Sequence, residues 1–130
     1  MPSVRALAAD AVVVIDGEIL LLKRDHEPYE GTWVLPGGLV EPDETAREAC
    51  VRETAEEAGL DVRVVGEVGL YDEPGRDPRD NVSMAFRCMP ADPSADPEPR
   101  EEAETVATFP PEELPEMGFD HERIVLDALS

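Results

Sequence analysis

The segment from residue 38 to residue 60 constrains the fold most strongly, because it encodes a helix with a defined start and a defined end. Thr45 is followed three positions later by Glu48, the spacing of a capping box. In that motif the threonine hydroxyl accepts a hydrogen bond from the Glu48 amide, and the Glu48 carboxylate accepts one from the Thr45 amide. Gly59 can adopt the left-handed conformation that ends many helices. The sequence therefore predicts a helix from about Thr45 to Ala58.

Three glutamates of this helix, Glu53, Glu56 and Glu57, are spaced three and four positions apart. They fall within roughly a 100° arc of the helix surface. Like charges on one helix face repel, so the arrangement is unfavourable unless a cation lies among them or water screens them. The two interpretations are a divalent metal site and a solvated acidic face.

The wider spacing pattern of the segment favours the metal site. Residues 38–60 read Gly-x5-Glu-x7-Arg-Glu-x2-Glu-Glu-x-Gly-Leu, which resembles the Nudix box, the signature of the Nudix (MutT-like) hydrolases. Each charged position and both glycines match, while Thr54 stands where an aliphatic residue is usual. The resemblance implies an α+β fold, a Nudix-type α/β/α sandwich with a mixed β-sheet between helices. We expect residues 1–130 to form a single Nudix hydrolase domain.

The resemblance also implies roles for individual residues. The carboxylates of Glu53, Glu56 and Glu57 and the carbonyl of Gly38 would hold a divalent cation, with Mg²⁺ as the first choice and Mn²⁺ as the alternative. Such cations join an acidic site to an anionic substrate and lower the pKa of a water molecule. Arg52 would pair with a glutamate of the box and orient it.

The proton acceptor for the attacking water is left open between a glutamate of the box and a glutamate outside it. Glu53 is the first candidate for the general base, because a glutamate of the box has this role in some members of the family. Glu102 or Glu104, just before the last predicted strand, is the candidate outside the box. The predicted catalytic set is therefore Arg52, Glu53, Glu57 and Glu104.

The loop from residue 72 to residue 80 carries two arginines in a chain that has few cations. Its Pro-Gly-Arg-Asp-Pro-Arg sequence resembles a segment of the ADP-ribose pyrophosphatase group within the family. Arginine donates in a planar fork that suits phosphate oxygens, so Arg76 or Arg79 is predicted to bind a substrate phosphate. In the alternative interpretation both arginines pair with neighbouring acids such as Asp77 or Asp80 and rigidify the loop.

The charge balance excludes several classes of partner. Eleven basic residues against thirty-one acidic ones give a formal net charge of −20, which argues against nucleic acid and anionic membranes. Lysine occurs once, as Lys23, and the acidic, lysine-poor composition resembles that of proteins from organisms that accumulate molar salt. Cys50 and Cys88 lack paired-cysteine spacing, which favours a reduced, intracellular protein. No apolar run is long enough to span a membrane. We therefore expect a cytoplasmic protein that acts on a small nucleotide, and a homodimer remains an open alternative.

The rest of the chain predicts the elements around the helix. Apolar runs on both sides of Asp16-Gly17 predict a hairpin with strands at 11–15 and 18–24. Further strands are predicted over 33–35, 61–71, 81–89 and 105–109. Asp120 is predicted to be the N-cap of a C-terminal amphipathic helix. His26 and His121 have no second histidine at metal-ligand spacing, so both are expected to be surface or capping residues.

Three functions fit these observations. The first is Mg²⁺-dependent hydrolysis of a diphosphate bond in ADP-ribose or a similar nucleotide sugar, favoured by the arginine loop and by the Gly-Phe-Asp-His sequence at residues 118–121, which resembles the same group. The second is a MutT-like pyrophosphohydrolase of (8-oxo-)dNTPs or NTPs. The third is a non-catalytic, ligand-sensing Nudix module, against which the full set of glutamates in the box argues.

Overall fold

A mixed β-sheet with one α-helix on each face organises the structure, a computed structural model that describes residues 3–100 and 103–130 apart from the side chain of Glu104. The described strands are β1 (Leu7–Ile15), β2 (Glu18–Arg24), β3 (Trp33–Val34), β4 (Gly37–Leu39), β5 (Val62–Tyr71), β6 (Val82–Pro90) and β7 (Ala103–Phe109). The described α-helices are α1 (Ala46–Ala58) and α2 (His121–Leu129), and Pro111–Glu113 forms a short 3₁₀ helix.

The central strand of the sheet is β1. The strand order is β3-β2-β1-β6-β5, with β4 paired to β1 and β7 paired to β2. Strand β1 runs parallel to β6 and antiparallel to β2 and β4, which confirms the predicted mixed sheet. The strand begins at Leu7 rather than at the predicted residue 11, because its first residues pair with the distant segments 37–39 and 82–85.

The predicted hairpin between β1 and β2 is confirmed. Asp16 and Gly17 have φ angles of 50° and 79°. A two-residue turn with both φ angles positive matches the right-handed twist of the two strands, and Asp-Gly tolerates those angles. Val14 therefore pairs with Ile19 across the turn.

Two apolar cores explain why β1 is apolar at nearly every position rather than at alternate ones. Side chains of a strand point alternately to the two faces of the sheet. Ala11 and Val13 belong to the core under α1, whereas Val12 belongs to the core under α2 with Ile124. The sheet lies between the helices, as predicted.

Helix α1 begins and ends as predicted. The Glu48 amide donates to Thr45 Oγ1 over 3.1 Å, and the Thr45 amide donates to Glu48 Oε1 over 2.8 Å. Gly59 ends the helix in the left-handed conformation with φ of 62°. Thr54, the departure from the box pattern, is buried and its hydroxyl donates to the carbonyl of Cys50 over 2.8 Å, so it packs on the apolar side. Neither described helix has the length and apolarity that a membrane span requires.

Candidate active site

A cavity of about 240 Å³ opens between α1, the start of β1, the end of β2 and the loop from residue 72 to residue 80. Its lining combines the box glutamates Glu53 and Glu57 with the cationic side chains Arg24 and Arg79. Because opposite charges face one cavity, the site can hold both a metal cation and an anionic group.

The glycine turn before the helix is held directly against the carboxylates. The amide of Gly37 donates to Glu57 Oε1 over 2.8 Å. A Cβ atom at Gly38 would lie 2.5 Å from Cδ of Glu53, which is closer than real Cβ contacts allow. Glycine at position 38 is therefore required for the backbone to approach Glu53.

Arg52 connects the two ends of the box. Its guanidinium donates to both carboxylate oxygens of Glu44, over 2.6 and 3.0 Å. It also donates to Glu53 Oε1 over 2.8 Å and to Glu56 Oε2 over 3.1 Å. These contacts, with Glu44 foremost, raise the pKa of Arg52, and Arg52 lowers the pKa of Glu44. Arg52 thus lies within hydrogen-bonding distance of the glutamates that the resemblance implies it would orient.

The three glutamates of the predicted metal site occupy different surroundings. Glu53 and Glu57 line the cavity, whereas Glu56 is outside the lining and its side chain is 38% exposed beside Arg52. Among the described residues, no three His, Cys, Asp or Glu side chains form a preorganised metal cluster. The donor chemistry fits a hard divalent cation, because carboxylates and a backbone carbonyl supply oxygen ligands.

The two arginines of the loop have separate roles. The Arg76 side chain is 4% exposed and donates two hydrogen bonds to Asp120, over 2.6 and 2.8 Å, and one to the carbonyl of Asn81 over 3.0 Å. Arg76 is absent from the described cavity lining, and its partner is neither Asp77 nor Asp80. The structure thus pairs Arg76 with Asp120 and leaves it outside the described lining of the cavity.

Arg79 does reach the cavity. Its guanidinium donates to both carboxylate oxygens of Asp77, over 2.9 and 3.0 Å, and lies 5.0 Å from the ring centroid of Phe119. Burial by itself would raise the pKa of Asp77, but the bonds from Arg79 lower it overall. The side chain of Arg79 is 48% exposed, so it is the loop arginine that a ligand in the cavity can contact.

The expectation that His121 is a surface or capping residue is wrong. His121 is 6% exposed and lines the cavity, and its Nδ1 accepts a hydrogen bond from the amide of Leu35 over 3.0 Å. Burial lowers the pKa of His121. Leu35 lies 86 positions away in the chain, so no local pattern could show this contact. His26 lies in the loop after β2 and lines the same cavity, but its side chain is 40% exposed.

Sequence reasoning also missed Asp10, which lines the cavity from β1 and is 5% exposed. Burial raises the pKa of its carboxyl group. The available signal was a single acid inside an otherwise apolar strand, since buried carboxylates are rare without a partner or a function.

Two predictions cannot be placed. Glu102 and the side chain of Glu104, the candidate bases outside the box, lie outside the described residues.

Asp120 is at the predicted N-cap position of α2, but its side chain makes no capping hydrogen bond, because the carboxylate binds Arg76.

Known proteins resemble the chain over nearly its full length. The family model of the NUDIX domain matches residues 4–129. An ADP-ribose pyrophosphatase of Methanocaldococcus jannaschii is 38% identical over 122 residues, which are 94% of this chain and 72% of that protein. A NUDIX hydrolase structure from Nitrosomonas europaea matches with a TM-score of 0.84 and 30% identity, over 99% of this chain and 70% of the other. The NUDIX domain of Shewanella oneidensis NrtR, complexed with ADP ribose, shares the fold with a TM-score of 0.82 at 21% identity, over 98% and 88% of the two chains.

Proposed function

Because the chain belongs to the Nudix family and is a pyrophosphohydrolase of that family, we propose that it hydrolyses the diphosphate bond of ADP-ribose or a similar nucleotide sugar with Mg²⁺. The whole of residues 1–130 acts as one domain in this proposal. The reaction takes place in the cytoplasm, where the free thiols of Cys50 and Cys88 remain reduced.

The observation that carries the proposal is the pairing of opposite charges in one cavity. Glu53 and Glu57 line it near the glycine turn, and Arg79 lines it from the loop of residues 72–80. Metal cations and arginine donors both suit a diphosphate, because its oxygens carry negative charge and only accept hydrogen bonds. The similarity to the pyrophosphatase of M. jannaschii supports ADP-ribose as the first substrate to test.

The residues that would hold the cation are Gly38, through its carbonyl, and Glu53, Glu56 and Glu57. When bound, a divalent ion neutralises phosphate charge and makes a coordinated water more acidic. Arg52 holds Glu53 and Glu56 in position through the hydrogen bonds described above. Arg79, which lines the same cavity, is proposed to orient a phosphate.

The proposed chemical step is attack of water on one phosphorus of the diphosphate. The carboxylate of Glu53 takes the proton of the water, and Glu104 is the alternative base. A new P–O bond forms and the bridging P–O bond breaks, so that ADP-ribose yields AMP and ribose 5-phosphate. A base close to the attacked phosphorus accelerates such a step because the proton leaves as the bond forms.

The test is a substrate panel with identified products. Purified protein with Mg²⁺ in high salt is given ADP-ribose, other nucleotide sugars, and nucleoside triphosphates including 8-oxo-dGTP. We expect ADP-ribose or a nucleotide sugar to give a nucleoside monophosphate and a sugar phosphate. Release of inorganic pyrophosphate from triphosphates alone would favour the MutT-like function. Binding of ADP-ribose without turnover of any compound would favour the ligand-sensing module.

A further inference from the structure

Buried polar side chains converge on one part of the cavity. Six polar or charged residues in the described part of the chain are buried when the whole residue is considered, backbone included, and five of them line the cavity. Those five are Asp10, Asp77, Asn81, Ser83 and His121. The sixth, Thr54, is satisfied within α1. Burial of polar groups is costly unless hydrogen bonds compensate for it, so their concentration here indicates a binding surface.

Two of these residues face each other without forming a hydrogen bond. Asp10 Oδ2 is buried and has no hydrogen-bond partner among the described residues. His121 Nε2 lies 3.8 Å from it, beyond hydrogen-bonding distance. The Leu35 amide donates to His121 Nδ1 over 3.0 Å, so Nδ1 carries no proton and the neutral ring carries its proton on Nε2. An N–H donor and a carboxylate oxygen are therefore held side by side.

The chemistry of the pair selects a group that both accepts and donates. A hydroxyl oxygen matches the chemistry of both atoms, since it accepts from Nε2 of His121 and donates to Oδ2 of Asp10. A phosphate oxygen only accepts, and a carboxylate repels it. An ammonium group only donates and would face the His121 N–H.

The position of the pair favours a sugar over a nucleobase. A Cβ atom at Gly37 would collide with Oδ1 of Asp10, so the Asp10 carboxylate touches the glycine turn. The amide of the same glycine donates to Glu57. The pair is therefore next to the carboxylates that are proposed to bind the cation, and so near the diphosphate that the cation would hold. In a nucleotide sugar the hydroxyls nearest to the phosphates belong to the attached sugar.

We infer that Asp10 and His121 form a subsite for a hydroxyl of a sugar attached directly to the diphosphate of the substrate. The inference rests on the proposed function for the location of the diphosphate. It makes the two residues determinants of substrate specificity, and it accounts for a buried carboxylate oxygen that the described residues leave unpartnered.

The first test compares ADP-ribose with deoxy analogues that each lack one hydroxyl of one ribose. We expect the wild type to lose about tenfold or more in kcat/KM with one of these analogues, because the missing hydroxyl leaves buried polar groups unpaired. Equal kcat/KM for all analogues would overturn the inference. So would discrimination that follows a change of base, such as inosine for adenosine, and not a change of sugar.

Matched variants separate ligand binding from a structural role of the histidine. His121→Asn keeps an acceptor for the Leu35 amide and removes the group at Nε2, whereas His121→Gln keeps a donor near Nε2 and loses the acceptor at Nδ1. We expect His121→Asn and Asp10→Leu to lose the discrimination between ADP-ribose and the deoxy analogue, while His121→Gln keeps most of it. If His121→Gln lost the discrimination and His121→Asn kept it, His121 would act by positioning Leu35, and the subsite would be overturned.

A binding measurement distinguishes failure of the inference from failure of the proposed function. If the protein hydrolyses no diphosphate, calorimetry with D-ribose 5-phosphate and 2-deoxy- or 3-deoxy-D-ribose 5-phosphate still tests the subsite. Tighter binding of the ribose compound to the wild type, with equal binding to Asp10→Leu, would support it. Equal binding to the wild type would overturn it. Circular dichroism checks that the variants fold. If they do not, the difference in wild-type binding between ribose 5-phosphate and its deoxy analogues tests the subsite alone.

Discussion

The Arg76 guanidinium and the Asp120 carboxylate form a bidentate ion pair that connects the loop of residues 72–80 to the N-terminus of α2. Both side chains are mostly buried, with 4% and 21% of their surface exposed. The residues before and after Asp120 in the sequence, Phe119 and His121, both line the cavity. The pair therefore fixes one wall of the site without itself lining it.

This ion pair should stabilise the protein in a pH-dependent way. Burial would raise the pKa of Asp120, but Arg76 lowers it overall. A carboxyl group with a lowered folded-state pKa stabilises fully above its unfolded pKa of about 3.9, and the effect is lost as the pH falls through the folded value. We expect wild type to exceed Asp120→Asn by about 2 kcal/mol in unfolding free energy at pH 6. The difference should shrink as the pH falls below the unfolded pKa of about 3.9 and vanish once Asp120 is protonated in the folded state as well.

Urea unfolding at several pH values measures that difference. Asp43→Asn is the control, because Asp43 is an exposed aspartate of the loop before α1. Its unfolding curve should follow that of the wild type at every pH. A constant offset between Asp120→Asn and wild type over the whole range would contradict the role of the ionised pair.

The Glu57→Gln substitution should lower metal-dependent turnover by orders of magnitude while the fold survives. The amide oxygen of glutamine can still accept from Gly37, but a neutral side chain is a much weaker ligand for Mg²⁺. The measurement is kcat with saturating Mg²⁺, beside a thermal melt. Glu48→Gln on the same helix is the matched control, because glutamine serves equally well in a capping box. Full activity of Glu57→Gln would refute the metal assignment.

Gly38→Ala should reduce activity more than stability. The added Cβ would lie 2.5 Å from Cδ of Glu53, so either the turn or the carboxylate must move. We expect kcat/KM to fall by about tenfold or more, because displacement of a catalytic group by about 1 Å is costly. Gly69→Ala is the control, since its added Cβ would lie 3.8 Å from Tyr71, an ordinary contact. An equal effect of both substitutions would count against a special role of position 38.

High salt should stabilise the protein. At a formal net charge of −20 the folded chain repels itself, and the Debye length falls from about 10 Å at 0.1 M to about 3 Å at 1 M salt. We expect the melting temperature to rise steeply between low and molar concentrations of KCl, as measured by scanning calorimetry. An unchanged melting temperature would remove the basis for the halophilic interpretation.

What the sequence could predict depends on the distance between the interacting residues. The capping box joins Thr45 and Glu48 within one turn, and Asp16-Gly17 sets its own hairpin, so both were predictable from local chemistry. The Arg76 and Asp120 pair joins residues 44 positions apart, and Leu35 and His121 are 86 apart. Local spacing predicts that Arg76 pairs with an acid near it in sequence, but in the fold its guanidinium donates to Asp120.

The same distinction holds within the site. The glutamates of the box follow from the helix period, and their resemblance to a known motif predicts their chemistry. Asp10 and His121 become neighbours only when α2 packs on the sheet beside β1. A buried contact of this kind has no period and no fixed spacing, so the sequence predicts a surface or capping role for His121.

The parallel pairing of β1 with β6 also determines when the molecule can fold. Leu7 pairs with Val82, and more than half of the chain lies between these residues. Closing so large a loop costs entropy before any contact compensates for it, and contacts distant in sequence slow folding. The hairpin of β1 and β2 can form early, but β1 remains an uncovered edge until β6 has left the ribosome. During synthesis the apolar strand β1 therefore keeps one edge unpaired until more than half of the chain has been made.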